Sequence, residues 1–92
     1  MNLHEGILDA LIDEGESIIQ IEKYLKYLKF NVTREDLTSE LASLLDQQQI
    51  MIEYPLDYKD IIDLNPLNIE EYWFGLTNIG RSEWTKFVKK ST

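Results

Sequence analysis

The stretch YWFGLTNIGRSEW, running from Tyr72 to Trp84, limits the fold more than any other part of the chain. The run Tyr72-Trp73-Phe74-Gly75-Leu76, aromatic and β-prone apart from its glycine, predicts a strand. Gly75 inside it marks a bulge or a close backbone contact. Thr77 then has the side chain to cap a helix, and on that helix Gly80, Trp84, Phe87 and Val88 share one face. At Gly80 a side chain is expected to collide with the strand or helix beneath. A strand joined to a helix by little more than a capping residue must pack both on the same core. Trp73 or Phe74, together with Trp84, is expected to close that core.

Periodicity supplies the elements upstream. Leu3, Ile7, Leu8, Leu11 and Ile12 recur at helical spacing, and Gly15 is expected to stop this first helix in the left-handed conformation. Ile18 and Ile19 are β-branched and predict a short extended piece. A second helix follows with the stripe Ile21, Tyr24, Leu25 and Leu28, ending near Lys29 or Phe30. Thr33, with Asp36 three residues on, reads as the cap of a third helix whose buried face is Leu37, Leu41, Leu44 and Leu45. Gln47, Gln48 and Gln49 mark its end only vaguely. Ile50, Ile52 and Tyr54 alternate with Met51 and Glu53, a strand that Pro55 closes.

The order is helix, extended piece, helix, helix, strand, long connection, strand, helix. That order, together with the junction Leu76-Thr77-x-x-Gly80-Arg81, resembles the winged helix-turn-helix superfamily, including the bacterial regulators of the MarR and PadR kinds. The resemblance spans Leu3 to Val88. It implies an α+β winged helix, with a three-helix core, a small antiparallel β-sheet and a C-terminal helix. It also implies a bacterial or phage setting. At 92 residues and 43% hydrophobic content, one core and a single domain over 1–92 are expected. With no cysteine there is no disulfide framework, zinc–cysteine site or thiol nucleophile. The N-terminal MNLHEGILDALIDEGE lacks a basic region, and acids interrupt its apolar residues, so neither a secretory signal nor a membrane span is expected. The simplest reading is a cytoplasmic protein.

Charge is distributed unevenly. Between Thr33 and Tyr72 the cations are Arg34 and Lys59, against ten carboxylates, which accounts for the entire formal net charge of -8. The winged-helix resemblance implies that the third helix enters the major groove of DNA and that the following hairpin touches backbone. Yet with its leucines buried, that helix turns Glu35, Ser39, Ala42, Ser43 and Asp46 outward. DNA affinity comes chiefly from lysine and arginine displacing counterions, and carboxylates oppose it well inside a Debye length of about 8 Å. The expected function is therefore a non-enzymatic interaction module. It would bind a protein partner, one that could be basic, through the third helix and the wing.

The residues expected to carry this contact are Glu35, Ser39, Asp46, Tyr58, Ile61, Ile62 and Leu64. The alternative is a DNA-binding transcriptional regulator using Lys23, Lys26, Lys29 and Arg34, with Arg81, Lys86, Lys89 and Lys90 as a further basic patch. Homodimerisation through the first or last helix is compatible with both.

Chemistry has little to stand on. His4 is the only histidine and is expected on an exposed helix face. None of the serines has another histidine for a partner, and no phosphate-binding loop or nucleophile elbow occurs. Asp57, Asp60 and Asp63 lack the alternation and glycine of a calcium loop. No catalytic residue, metal or cofactor is expected. The connection from Pro55 to Glu71 is seventeen residues long, well beyond the two to five of a common hairpin. Its apolar residues, Tyr58, Ile61, Ile62, Leu64, Leu67 and Ile69, either cover the core or face a partner.

Overall fold

A computed structural model describes residues 1–54 and 66–91, with side chains over 1–54 and 69–89. The chain runs α1 (Leu3–Leu11), β1 (Glu16–Ser17), α2 (Ile18–Tyr27), α3 (Arg34–Asp46), β2 (Ile50–Tyr54), a 3-10 helix (Pro66–Glu71), β3 (Trp73–Leu76) and α4 (Asn78–Ser91). The class is α+β; the described residues form four α-helices and a three-stranded antiparallel sheet in the order β1-β3-β2.

Local chemistry explains where each helix begins. Asn2 accepts from the Glu5 backbone N–H at 2.8 Å, and Glu5 returns the bond to the Asn2 N–H at 2.9 Å, a capping box that starts α1. Ser17 and Gln20 form the same reciprocal pair at the start of α2. This box corrects the expected extended piece. Ile18 and Ile19 belong to the first turn of α2, and the strand is the pair before them, because the Ser17 cap outweighs the weak β preference of two isoleucines. Thr33 caps α3 through the Asp36 N–H at 3.0 Å, and Thr77 caps α4 through the Gly80 N–H at 3.0 Å, both as expected.

The second and third helices end close to where expected, and the stop of the first departs from expectation. Among the described residues no glycine has a positive φ, so Gly15 is not a left-handed stop. The left-handed residues are Lys29 (φ 72°) and Gln48 (φ 60°). At the end of α2 the Phe30 N–H bonds the Leu25 carbonyl at 2.9 Å, and the Lys29 N–H bonds the Lys26 carbonyl at 3.0 Å. At the end of α3 the Gln49 N–H bonds Leu44 and the Gln48 N–H bonds Leu45, both at 3.0 Å. These are Schellman closures made without glycine.

The core joins Ile7, Leu8 and Leu11 of α1 to Ile18, Ile21 and Leu25 of α2 and to the four α3 leucines. Ile50 and Ile52 of β2, Phe74 of β3, and Ile69 and Tyr72 complete it. Ile69 therefore covers the core from within the long connection. Phe74 is fully buried and Trp73 is 40% exposed, which decides which of the two aromatics closes the interior. Trp84 packs against the cluster from α4, and its Nε1 donates to Asp9 Oδ1 at 2.9 Å. The Tyr24 hydroxyl donates to Asp9 Oδ2. One carboxylate thus ties α1, α2 and α4 together. The hydrogen bond to Asp9, with burial adding to it, pushes the Tyr24 phenol up to about 12.

His4 is a half-buried strut instead of an exposed residue: its Nε2 lies 2.7 Å from Oε1 of the buried Gln49. Gly80 meets that same segment, since a Cβ there would sit 1.9 Å from the Gln49 carbonyl oxygen. The expected close contact is therefore with backbone. The sheet irregularity lies opposite the place expected. Ile52 pairs with Phe74 and Tyr54 with Trp73, so Glu53 is the extra residue of a β-bulge on β2, while Gly75 stays in register with Met51.

Candidate partner-binding surface

α3 owes its orientation to its leucines. Leu37, Leu41 and Leu44 are fully buried and Leu45 nearly so, which leaves Glu35, Asp36, Ser39, Ser43 and Asp46 exposed and Ala42 half-buried. Glu35 and Asp36 occupy the first turn, where the helix dipole favours negative charge. The exposed surface of α3 carries a single cation, Arg34, and that one is already engaged. Its Nε and Nη2 donate to the Glu22 carboxylate at 2.6 and 2.8 Å, and its Nη1 donates to Glu70 at 3.2 Å. The two hydrogen bonds to Glu22, with the one to Glu70, hold the guanidinium firmly in its charged form. Arg34 thereby links α2, α3 and the 3-10 helix, and its charge is spent on neighbours.

Compared with protein-family models, with curated proteins and with solved structures, the chain has no significant match in any of the three.

Of the residues expected to touch a partner, Glu35, Ser39 and Asp46 stand together on the exposed side of α3. Tyr58, Ile61, Ile62 and Leu64 lie outside the described residues, as do Asp57, Asp60 and Asp63. The residues of the alternative are divided between two elements. Lys23, Lys26 and Lys29 are exposed on or just beyond α2, and Arg34 opens α3. Lys23 and Lys26 flank a cleft of about 370 Å³ whose floor includes Ile19, Leu25, Phe30 and Val32.

Among the described residues no group of three histidine, aspartate or glutamate side chains is placed to hold a metal ion, and no helix is long and apolar enough to cross a membrane.

Sequence reasoning missed the outer face of the sheet. Met51, Tyr54 and Trp73 are 43, 61 and 40% exposed. Register sets Tyr54 opposite Trp73 and Met51 opposite Gly75, on the side away from the buried Phe74 and Ile52. The signal was present: adjacent strand residues point to opposite faces, so whichever of Trp73 and Phe74 is core, the other lies on the outer face. Glu16, at the sheet edge, has its carboxyl pushed above the usual range by burial and then by the neighbouring Glu14 and Asp13.

Proposed function

We propose that this chain is a winged-helix interaction module of the cytoplasm, without catalysis, that binds a basic protein partner through the carboxylate-bearing face of α3. The observation carrying this reading is that Glu35, Asp36 and Asp46 are exposed on α3 while its lone cation, Arg34, is held by Glu22 and Glu70. The fold assignment is supported by the element order and by a sheet in which the strand before α2 pairs with the last strand of the hairpin. In a nucleic-acid reader of this shape α3 would lie against phosphate, and each carboxylate there opposes docking. The same field draws a cationic protein surface and speeds its encounter.

Retention on immobilised heparin tests the reading. The native chain is expected in the flow-through at low salt, whereas Glu35→Lys with Asp46→Lys should be retained and eluted by salt. Native protein held until roughly 0.3 M salt would overturn it.

A second reading, a DNA-binding regulator, is favoured by one observation. Lys23 and Lys26 are exposed on α2, and among the described residues neither has an ion-pair partner. Replacing both by glutamate would abolish retention under that reading and leave the flow-through behaviour unchanged under the first.

A further inference from the structure

The outer face of the sheet brings three large exposed side chains, Met51, Tyr54 and Trp73, next to one another and places a carboxylate among them. Glu53 is the extra residue of the β2 bulge, and its side chain lies across the sheet. A Cβ on Gly75 would sit 1.8 Å from Glu53 Oε1, and one on Gly15 would sit 2.4 Å from it. Gly75 is in β3 and Gly15 immediately precedes β1, so the two glycines leave a trough that the Glu53 carboxylate fills. Among the described residues that carboxylate takes part in no hydrogen bond or ion pair. At the β1 edge of the sheet, Glu14 and Asp13 add negative charge around Glu16.

Trp, Tyr and Met are the residue types that anchor protein interfaces. A carboxylate on the same sheet face as exposed aromatic residues selects its complement narrowly. A guanidinium can stack on an indole or phenol and at the same time offer two parallel N–H donors to a carboxylate, which a compact ammonium cannot do. We propose that this face is a second docking surface, occupied by an arginine-bearing segment of a protein partner. The guanidinium pairs with Glu53 and stacks on Trp73 or Tyr54, while apolar neighbours of that arginine cover Met51. The inference rests on the reading that the protein binds a basic partner, and it adds a place and a chemistry to that reading.

Trp73 supplies the measurement. In a Trp84→Phe background it is the only tryptophan, and its emission can be followed as a capped six-residue peptide of leucine and arginine is added. A saturable change is expected, lost with the counterpart in which citrulline replaces arginine. It should weaken about ten-fold or more in Glu53→Gln, a loss consistent with removing a charge-assisted pair. Since Glu53 has no partner to lose among the described residues, that variant should keep the parent's melting curve. Glu35→Lys with Asp46→Lys should bind the peptide nearly as well as the parent.

The proposal is overturned if the arginine peptide gives no saturable change, if the citrulline peptide binds equally, or if Glu53→Gln binds unchanged. Should the α3 reversal abolish binding while Glu53→Gln does not, this surface falls and the α3 reading stands. If the peptide fails and the native chain is also held on heparin, both fall.

Discussion

Lys29 and Gln48 hold left-handed backbone at the ends of α2 and α3, a conformation that costs an L-residue about 1–2 kcal/mol and costs glycine little. Lys29→Gly should therefore raise stability by about 1 kcal/mol, read as a higher denaturation midpoint at unchanged slope; a fall would show that the Lys29 side chain contributes more than its backbone costs. Neither position was legible in the sequence, because the usual signal is glycine and the glycine present, Gly15, serves steric room for Glu53 instead. Tyr24 gives a second expectation. Its phenol is held protonated to about 12 in the folded chain, above its ordinary 10.0. The folded state thus binds a proton that the unfolded chain releases first. The stability it contributes is complete below pH 10 and is lost as pH rises through about 12. Tyr24→Phe should show a shallower alkaline decline; an identical decline would mean that the Asp9 bond does not form in solution.

Threonine caps and apolar stripes made the helices readable, and the order of elements followed from them. Thr33 and Thr77 cap the helices they were expected to cap, and the leucines of α3 are the buried ones. The misplaced element is β1, where a reciprocal Ser17–Gln20 cap outweighed β-branching at Ile18 and Ile19. Polar joints between elements were not legible at all. Asp9 accepts from both Tyr24 and Trp84, partners fifteen and seventy-five residues away, and no periodicity announces such a meeting. Asp9→Ala should cost about 1–3 kcal/mol by leaving both donors without their acceptor; a change below about 0.5 kcal/mol would show that water replaces it. Gly80 gives the sharper contrast. Glycine to alanine within an exposed helix normally gains about 1 kcal/mol. Here the new Cβ would meet the Gln49 carbonyl at 1.9 Å, so Gly80→Ala should lose about 2 kcal/mol as α4 is pushed off its seat.

The charge pattern was plain in composition, and its placement required coordinates. The formal net charge of -8 arises between Thr33 and Tyr72, and the structure puts Glu35, Asp36 and Asp46 of that span on the exposed side of α3. The half of the expected site at Tyr58, Ile61, Ile62 and Leu64 lies outside the described residues, whereas the outer sheet face went unread because the choice between Trp73 and Phe74 was left open and the exposed one was not followed to its neighbours. Arg34 shows how far the acidic field reaches. Its pairs with Glu22 and Glu70 are largely exposed, so Arg34→Gln should change stability by no more than about 1 kcal/mol while making the surface of α3 more negative.

Fluorescence anisotropy of a labelled mixed-sequence duplex DNA, titrated with the native chain at about 50 mM salt, measures directly whether that surface accepts phosphate. No binding into the high micromolar range is expected, with binding appearing in Glu35→Lys, Asp46→Lys. Micromolar binding by the native chain, falling steeply as salt rises, would contradict an acidic protein-binding face on α3.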